Sequence, residues 1–163
     1  MPSICFTGHR FIKKDILENL KQRLYLRLEE MISQGYTDFY AGGAIGFDTI
    51  CAETVISLKE KYPHIKLNLV LPCPPSEQTL NWKNADKIRY NTILSQADSI
   101  EVISPHYTSS CMLERNRQLI SCADLCICFY DSSRNSSGTG QTVRLALKKN
   151  ITVENLFTKE NAL

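Results

Sequence analysis

The order of apolar runs along the chain predicts a single-domain α/β protein with a doubly wound, mostly parallel sheet. Short apolar runs of strand length alternate with amphipathic stretches of helix length, which is the pattern of strand–crossover–strand units. One run, DLCICFY at 124–130, is apolar on both faces, as a central parallel strand requires. At 163 residues the chain can bury one substantial core. Residues 1–163 read as one domain, without linker, internal repeat or low-complexity segment.

The elements follow in order. Residues 3–7 read as the first strand. Residues 13–33 form an amphipathic helix with Ile16, Leu20, Leu24, Leu28 and Met31 or Ile32 on one face, and Gly35 is its natural stop. TDFYAGG at 37–43 is a second strand running into glycines, and 47–61 a helix with Ile50, Cys51, Val55 and Leu58 inward. IKLNLVLP at 65–72 is a third strand, ended by the turn-rich PCPPSEQ. Polar residues 83–96 have helical character, SIEVIS at 99–104 is a fourth strand, and CMLERNRQLISCA at 111–123 a helix. After the central strand, 139–149 reads as a last helix and 151–157 as a last strand. The longest irregular piece, 72–82, carries three prolines and is expected to act as a lid.

Composition narrows the class. Charged and apolar fractions of 22% and 43% are those of an ordinary globular protein. No run of about twenty apolar residues exists to span a membrane. No leader pattern is visible either, so the expected location is the cytoplasm. A net charge of +2 gives only weak support for a nucleic-acid partner. The seven cysteines sit mostly in apolar runs, with no neighbouring CxxC or histidine pair. They read as reduced, buried thiols rather than zinc ligands, and no metal site is expected.

In an open α/β sheet, ligands bind outside the carboxyl ends of the strands. Gly8, His9 and Arg10 follow the first strand there, and Gly42, Gly43, Ala44, Gly46 and Asp48 follow the second. Trp82 closes the loop after the third. Asp131 and the run Gly138-Thr139-Gly140-Gln141-Thr142 follow the central strand. Two glycine loops that each open a helix can present backbone N–H groups and positive helix ends to a phosphate, although neither is GxGxxG or a Walker loop. The first is equally compatible with a tight turn, and Ser/Gly-rich surface loops like the second are common without function. The Thr139 and Thr142 hydroxyls are further donors, and Arg10 the neutralising cation. On the 111–123 helix, Met112, Asn116 and Ala123 share a face, which places Asn116 inward. Arg115 and Arg117 point apart, so one of them at most faces the crevice. Asp48 either satisfies helix-terminal amides or holds a ribose hydroxyl, and Asp131 can do either. Trp82, Tyr90 and Tyr107 can stack on a base or simply pack. His9 has no sequence-adjacent acid, and there is no GxSxG elbow or HExxH helix.

The segments CFTGHR, YAGGAIGFDTICAE, NW…RY, ERNRQLISCADLCICFYD and SSGTGQTVRLALKKNI resemble, in order and spacing, the YpsA-like family of the SLOG superfamily, over about residues 2–157. The resemblance implies a Rossmann-like fold and binding of a nucleotide or nucleotide-derived ligand by a sensor or regulator. No cofactor beyond such a ligand is implied. Some members of the family are connected with bacterial cell division or stress, so a regulatory protein partner and a homo-oligomer are both compatible with it. Two relatives define the alternatives. The lonely-guy phosphoribohydrolases use a PGGxGTxxE loop, and here Thr142 stands where their glutamate would be, which weighs against that hydrolysis. Were the chain a nucleotide N-glycosidase, Asp48, Glu53 and Asp131 are the carboxylates near the loops. The DNA-processing protein A family binds single-stranded DNA through this fold, using a basic surface that the near-neutral charge does not advertise. The chain also departs from its own family, with Ser137-Gly138 in place of a doubled glycine.

Overall fold

A computed structural model describes residues 2–134 and 137–158. Its centre is a six-stranded sheet in the order β4-β3-β2-β1-β5-β6. The strands are β1 (Ser3–Gly8), β2 (Asp38–Ala41), β3 (Lys66–Leu71), β4 (Ser99–Val102), β5 (Leu125–Phe129) and β6 (Thr152–Asn155). Every pair is parallel. The helices are α1 (Lys14–Ser33), α2 (Phe47–Lys61), the one-turn α3 (Pro75–Gln78), α4 (Asn84–Gln96), α5 (Cys111–Cys122) and α6 (Gly138–Lys148). Each matches an expected element to within a few residues, apart from α3, which lies inside the stretch expected to be irregular.

Strand alternation sorts the side chains into two unequal cores. Ile4, Phe6, Phe39, Leu67, Leu69, Ile127 and Phe129 meet Leu20, Leu24 and Leu28 of α1, the α2 residues Val55 and Leu58, and Ile93 of α4. The other face carries Cys5, Cys126 and Cys128, packed with Leu119 and Ile120 of α5 and Val143 and Ala146 of α6. Cys5 and Cys126 stand side by side in the β1–β5 register. Thiols act here as small apolar groups that let two helices approach the sheet closely. The hydrogen bond with Cys126, and burial after it, raise the titration of Cys5, and burial raises that of Cys51 and Cys128, which keeps them as neutral thiols. Helix α1 ends as expected at Gly35, where the Tyr36 N–H reaches Met31 O at 3.1 Å and the Gly35 N–H reaches Ile32 O at 3.0 Å, a Schellman closure.

Strand order reverses between β1 and β5: β2, β3 and β4 extend one way and β6 the other. Crossovers leave such a point on opposite faces and open a crevice at the carboxyl ends of the two strands. The residues after β1 and β5 therefore decide what the crevice can do.

Candidate functional site

The β1 ladder continues one residue beyond the strand, with the His9 N–H on Phe129 O at 3.2 Å. The His9 ring is buried beside Phe129, and its Nε2 accepts a 2.9 Å hydrogen bond from the Asp131 backbone N–H. A backbone donor on Nε2 fixes the ring proton on Nδ1. Burial holds the imidazole below its ordinary pKa of 6.5, the charge of Arg134 adds to this, and Asp131 opposes it. His9 is thus a neutral, oriented ring, and its orienting group is a peptide N–H rather than a carboxylate.

The β1 and β2 loops are clasped together. The Phe47 N–H, at the start of α2, donates to His9 O at 3.1 Å. A Cβ on Gly8 would come within 2.5 Å of Phe47. Gly46 has φ +84 and lies against the Arg10 carbonyl, which a Cβ would strike. Gly43, with φ +75, packs below Leu71 and Tyr90. Only Ala44 and Asp48 of the expected second loop line the crevice, and its glycines serve close packing. The structure therefore places Gly42, Gly43 and Gly46 behind the wall of the site. Their backbone positions aim Arg10, Asp48 and Arg115.

Arg115 is the decisive side chain. Helix α5 buries Cys111, Arg115, Leu119 and Ile120, whereas Asn116 is half-buried and Arg117 exposed. The expected inward position of Asn116 is thus corrected. Cys111, Arg115 and Leu119, spaced four residues apart, face the sheet, and the arginine stem follows this line beneath the β2 loop. Arg115 Nη1 donates to Gly42 O and Nε to Asn116 Oδ1 at 2.8 Å. A Cβ on Gly42 would meet this guanidinium on one side and Asp48 Oδ2 on the other, so glycine is what lets the charges flank the loop.

Asp48 is buried and accepts from the Ala44 N–H at 3.2 Å. Burial raises its carboxyl above the ordinary 3.8, and Arg115, the Ala44 N–H and Arg10 partly offset that. Burial likewise lowers Arg115 from its ordinary value, with Asp48 opposing the shift. An arginine starts so far above neutrality that it stays cationic.

Helix α6 supplies the opposite wall. Ser137 caps it, accepting from the Gly140 N–H at 2.9 Å. Gly138 and Thr139 face the crevice, and a Cβ added at Gly138 would meet nothing within 4 Å. Thr142 does not share that wall: its hydroxyl donates to Gly138 O at 3.0 Å, and it faces a separate groove between α5 and α6. Asp131 is also turned aside, its carboxylate accepting from the Ser133 N–H at 3.0 Å and hydroxyl at 2.6 Å. Those two bonds hold it below its ordinary 3.8. Asn135 and Ser136 of the expected loop lie outside the described residues.

The resulting cavity has a volume of about 370 Å³ and brings together Gly8, His9, Arg10, Ala44, Asp48, Arg115, Asn116, Gly138 and Thr139 from the expected set. It adds Arg134, which the sequence reading had not singled out, and Met112, which that reading had placed only on a helix face. Arg134 lies between β5 and α6, and only the fold shows that it turns to the same space. Among the described residues, three arginines therefore line the cavity against one carboxylate. Glu53, a candidate acid by sequence, is held by Arg89 at 2.6 Å and 3.1 Å and lies elsewhere. Among the described residues no group of His, Cys, Asp and Glu could hold a metal ion.

Trp82 lines a second cavity, of about 640 Å³, which shares Arg10 and Met112 with the first. Its ring stands edge-on to Tyr90, with centroids 5.3 Å apart. The segment 72–82 forms a wall of this second cavity. Gln78 ties it down, accepting from the Tyr90 hydroxyl at 2.6 Å and donating to Gly42 O at 3.4 Å.

The model of the YspA SLOG family matches residues 5–157. The chain belongs to this family. Among its curated relatives is a UPF0398 protein of Shouchella clausii, 34% identical over 146 residues, covering 83% of this chain and 76% of the relative. A UPF0398 protein of Bacillus pumilus is 30% identical over 146 residues, covering 84% and 77%. The X-ray structure of TM1055, a structural-genomics target, aligns with a TM-score of 0.57 at 15% identity, covering 94% of this chain and 72% of that one. That likeness concerns the Rossmann-like fold. Family membership supports a nucleotide-related function in general terms. Among the described residues no helix is long and apolar enough to cross a membrane.

Proposed function

We propose that this SLOG-family chain binds a nucleotide or nucleotide-derived ligand as a sensor or regulator, with the ligand's phosphate in the cavity between β1, β5 and α6. The observation that carries the reading is the charge of that cavity. Buried Arg115, with Arg10 and Arg134, faces a single carboxylate, Asp48, and the α6 terminus brings Thr139 to the same space. A buried cation without a matched carboxylate partner is costly, and an anion in the cavity offsets that cost. The α6 N-terminus adds oriented N–H groups and a favourable dipole. The open space beside Gly138 leaves room for close approach to the backbone.

The test is calorimetric titration with a panel of mononucleotides, dinucleotides and ADP-ribose. Arg10→Ala combined with Thr139→Ala is expected to weaken any binder by about tenfold or more, since hydrogen bonds to charged groups contribute about 1.5–3 kcal/mol each. Unchanged affinity in the double variant would remove the assignment.

A second reading, nucleotide N-glycosidase chemistry, rests on Asp48 alone. Its buried carboxyl with a raised pKa lines the same cavity as neutral His9, an environment suited to proton transfer. Chromatography of nucleoside monophosphates incubated with the protein tests it, and absence of any released base ends it.

A further inference from the structure

The second cavity differs from the first in chemistry. Its walls include Trp82, Tyr107, Leu80 and Pro72, with Asn81 and Glu77 as polar groups. Tyr90 holds Trp82 edge-on, so one aromatic wall is fixed in place. Tyr107 and Leu80 are 63% and 70% exposed, an apolar rim at an opening whose volume lies in the usual range for small-molecule pockets, about 300–1,000 Å³. Glu77 is the odd member. Its Oε1 lies 3.5 Å from His106 Nδ1. Its Oε2 is shielded from solvent and has no hydrogen-bond partner among the described residues. A carboxylate oxygen without a donor is unfavourable there, and a turn of the half-exposed Glu77 side chain toward the cavity would open it to a donor.

The two cavities meet at Arg10 and Met112, which line both. They also select opposite ends of a ligand. The arginines of the first attract an anion, whereas the carboxylate of Glu77 repels one from the second. A purely apolar group in the second would leave Oε2 unpaired. A planar aromatic ring with an amino substituent satisfies the fixed Trp82 wall and the unpaired oxygen together.

We propose that the second cavity takes the aminopurine base of the same nucleotide whose phosphate occupies the first. The ring lies against Trp82 and Tyr107, and its exocyclic amine donates to Glu77 Oε2 after a small turn of that half-exposed side chain. The base site thus rests on the phosphate reading above and fixes the ligand's orientation, with Arg10 at the junction between base and phosphate.

The experiment titrates the full chain with three probes: AMP, purine riboside 5′-monophosphate (AMP without its amine) and ribose 5-phosphate. AMP is expected to bind about tenfold or more tightly than purine riboside 5′-monophosphate, because a hydrogen bond to a charged acceptor is lost. Glu77→Ala is expected to bring the two within about twofold of each other and to leave ribose 5-phosphate binding unchanged. Trp82 is the sole tryptophan, so its emission reports directly, changing with either nucleotide and not with ribose 5-phosphate. Equal affinity of the two nucleotides for the unaltered chain overturns the base site, as does discrimination that survives Glu77→Ala. If ribose 5-phosphate binds in an Arg10-dependent manner and neither nucleotide improves on it, the base site falls and the phosphate site stands. If none of the three binds, both fall.

Discussion

Replacing Gly46 by alanine perturbs the clasp that holds the two loops of the site, and its cost can be worked from two geometric facts. The residue has φ +84 and ψ −125, a conformation that only glycine adopts freely, with a cost of about 1–3 kcal/mol for an L side chain. A Cβ there would also strike the Arg10 carbonyl. The obstacle is backbone on both sides, so no flexible side chain can swing away, and overpacking of this kind adds about 1–3 kcal/mol. Together these give about 4 kcal/mol. For a chain of this size each kcal/mol moves the melting temperature by about 2–4 °C, so Gly46→Ala should melt about 8–16 °C lower. Circular dichroism at rising temperature, checked by urea unfolding, measures it. A fall of less than about 3 °C would show that the β1 and β2 loops are not rigidly clasped, and the reasoning about Arg10 would fail with it.

Three further outcomes are expected. Gly138→Ala meets nothing within 4 Å and needs no unusual φ, so it should leave stability unchanged or raise it by about 0.4–1 kcal/mol. It should also weaken binding of AMP by crowding the approach to α6, and an unaltered titration curve would place the phosphate elsewhere. His9 titrates below its ordinary 6.5 in the folded chain, so between that lowered value and 6.5 the unfolded chain holds more protons. Stability should therefore fall as pH drops below about 6.5, and His9→Gln, which keeps an acceptor for the Asp131 N–H, should flatten that slope in urea titrations across the window. Parallel pH profiles for both proteins would contradict the neutral-ring assignment. Finally, Arg27 ties α1 to β6 through two hydrogen bonds to Glu154, of 2.8 Å and 2.5 Å, and these hold the Glu154 carboxyl below its ordinary 4.5. A double-mutant cycle of Arg27→Met and Glu154→Gln near neutral pH should give a coupling of about 1 kcal/mol that shrinks with salt, and no coupling would leave the pair a surface ornament.

What the sequence made legible was local. Strand alternation and the spacing of Ile16, Leu20, Leu24 and Leu28 follow from the periods of strand and helix, and both survive folding because the core is built from those faces. The carboxyl-edge loops were legible because strand–helix alternation dictates a parallel sheet, and a parallel sheet dictates which loops share an edge. Contacts distant in sequence were not. The His9 ring is oriented by the Asp131 N–H, 122 positions away, and no local signal announces it. Helix periodicity placed Asn116 inward because it shares a face with Met112 and Ala123, yet a charged residue holds the buried position beside it. Arg115 overrides that guess with a long apolar stem, the carbonyl of Gly42 and the nearby charge of Asp48. The glycines of the second loop likewise looked like a phosphate cradle, but glycine serves close packing as readily as ligand approach. Only the positions of Arg115, Tyr90 and Arg10 distinguish the two uses.

A crystal structure grown with AMP tests the central claim most directly. The expected result is phosphate density between Arg10, Arg115 and the start of α6 at Gly138 and Thr139. Phosphate seated instead in the groove between α5 and α6, beside Arg117, Arg144 and Lys148, or a cavity without nucleotide density, would contradict it.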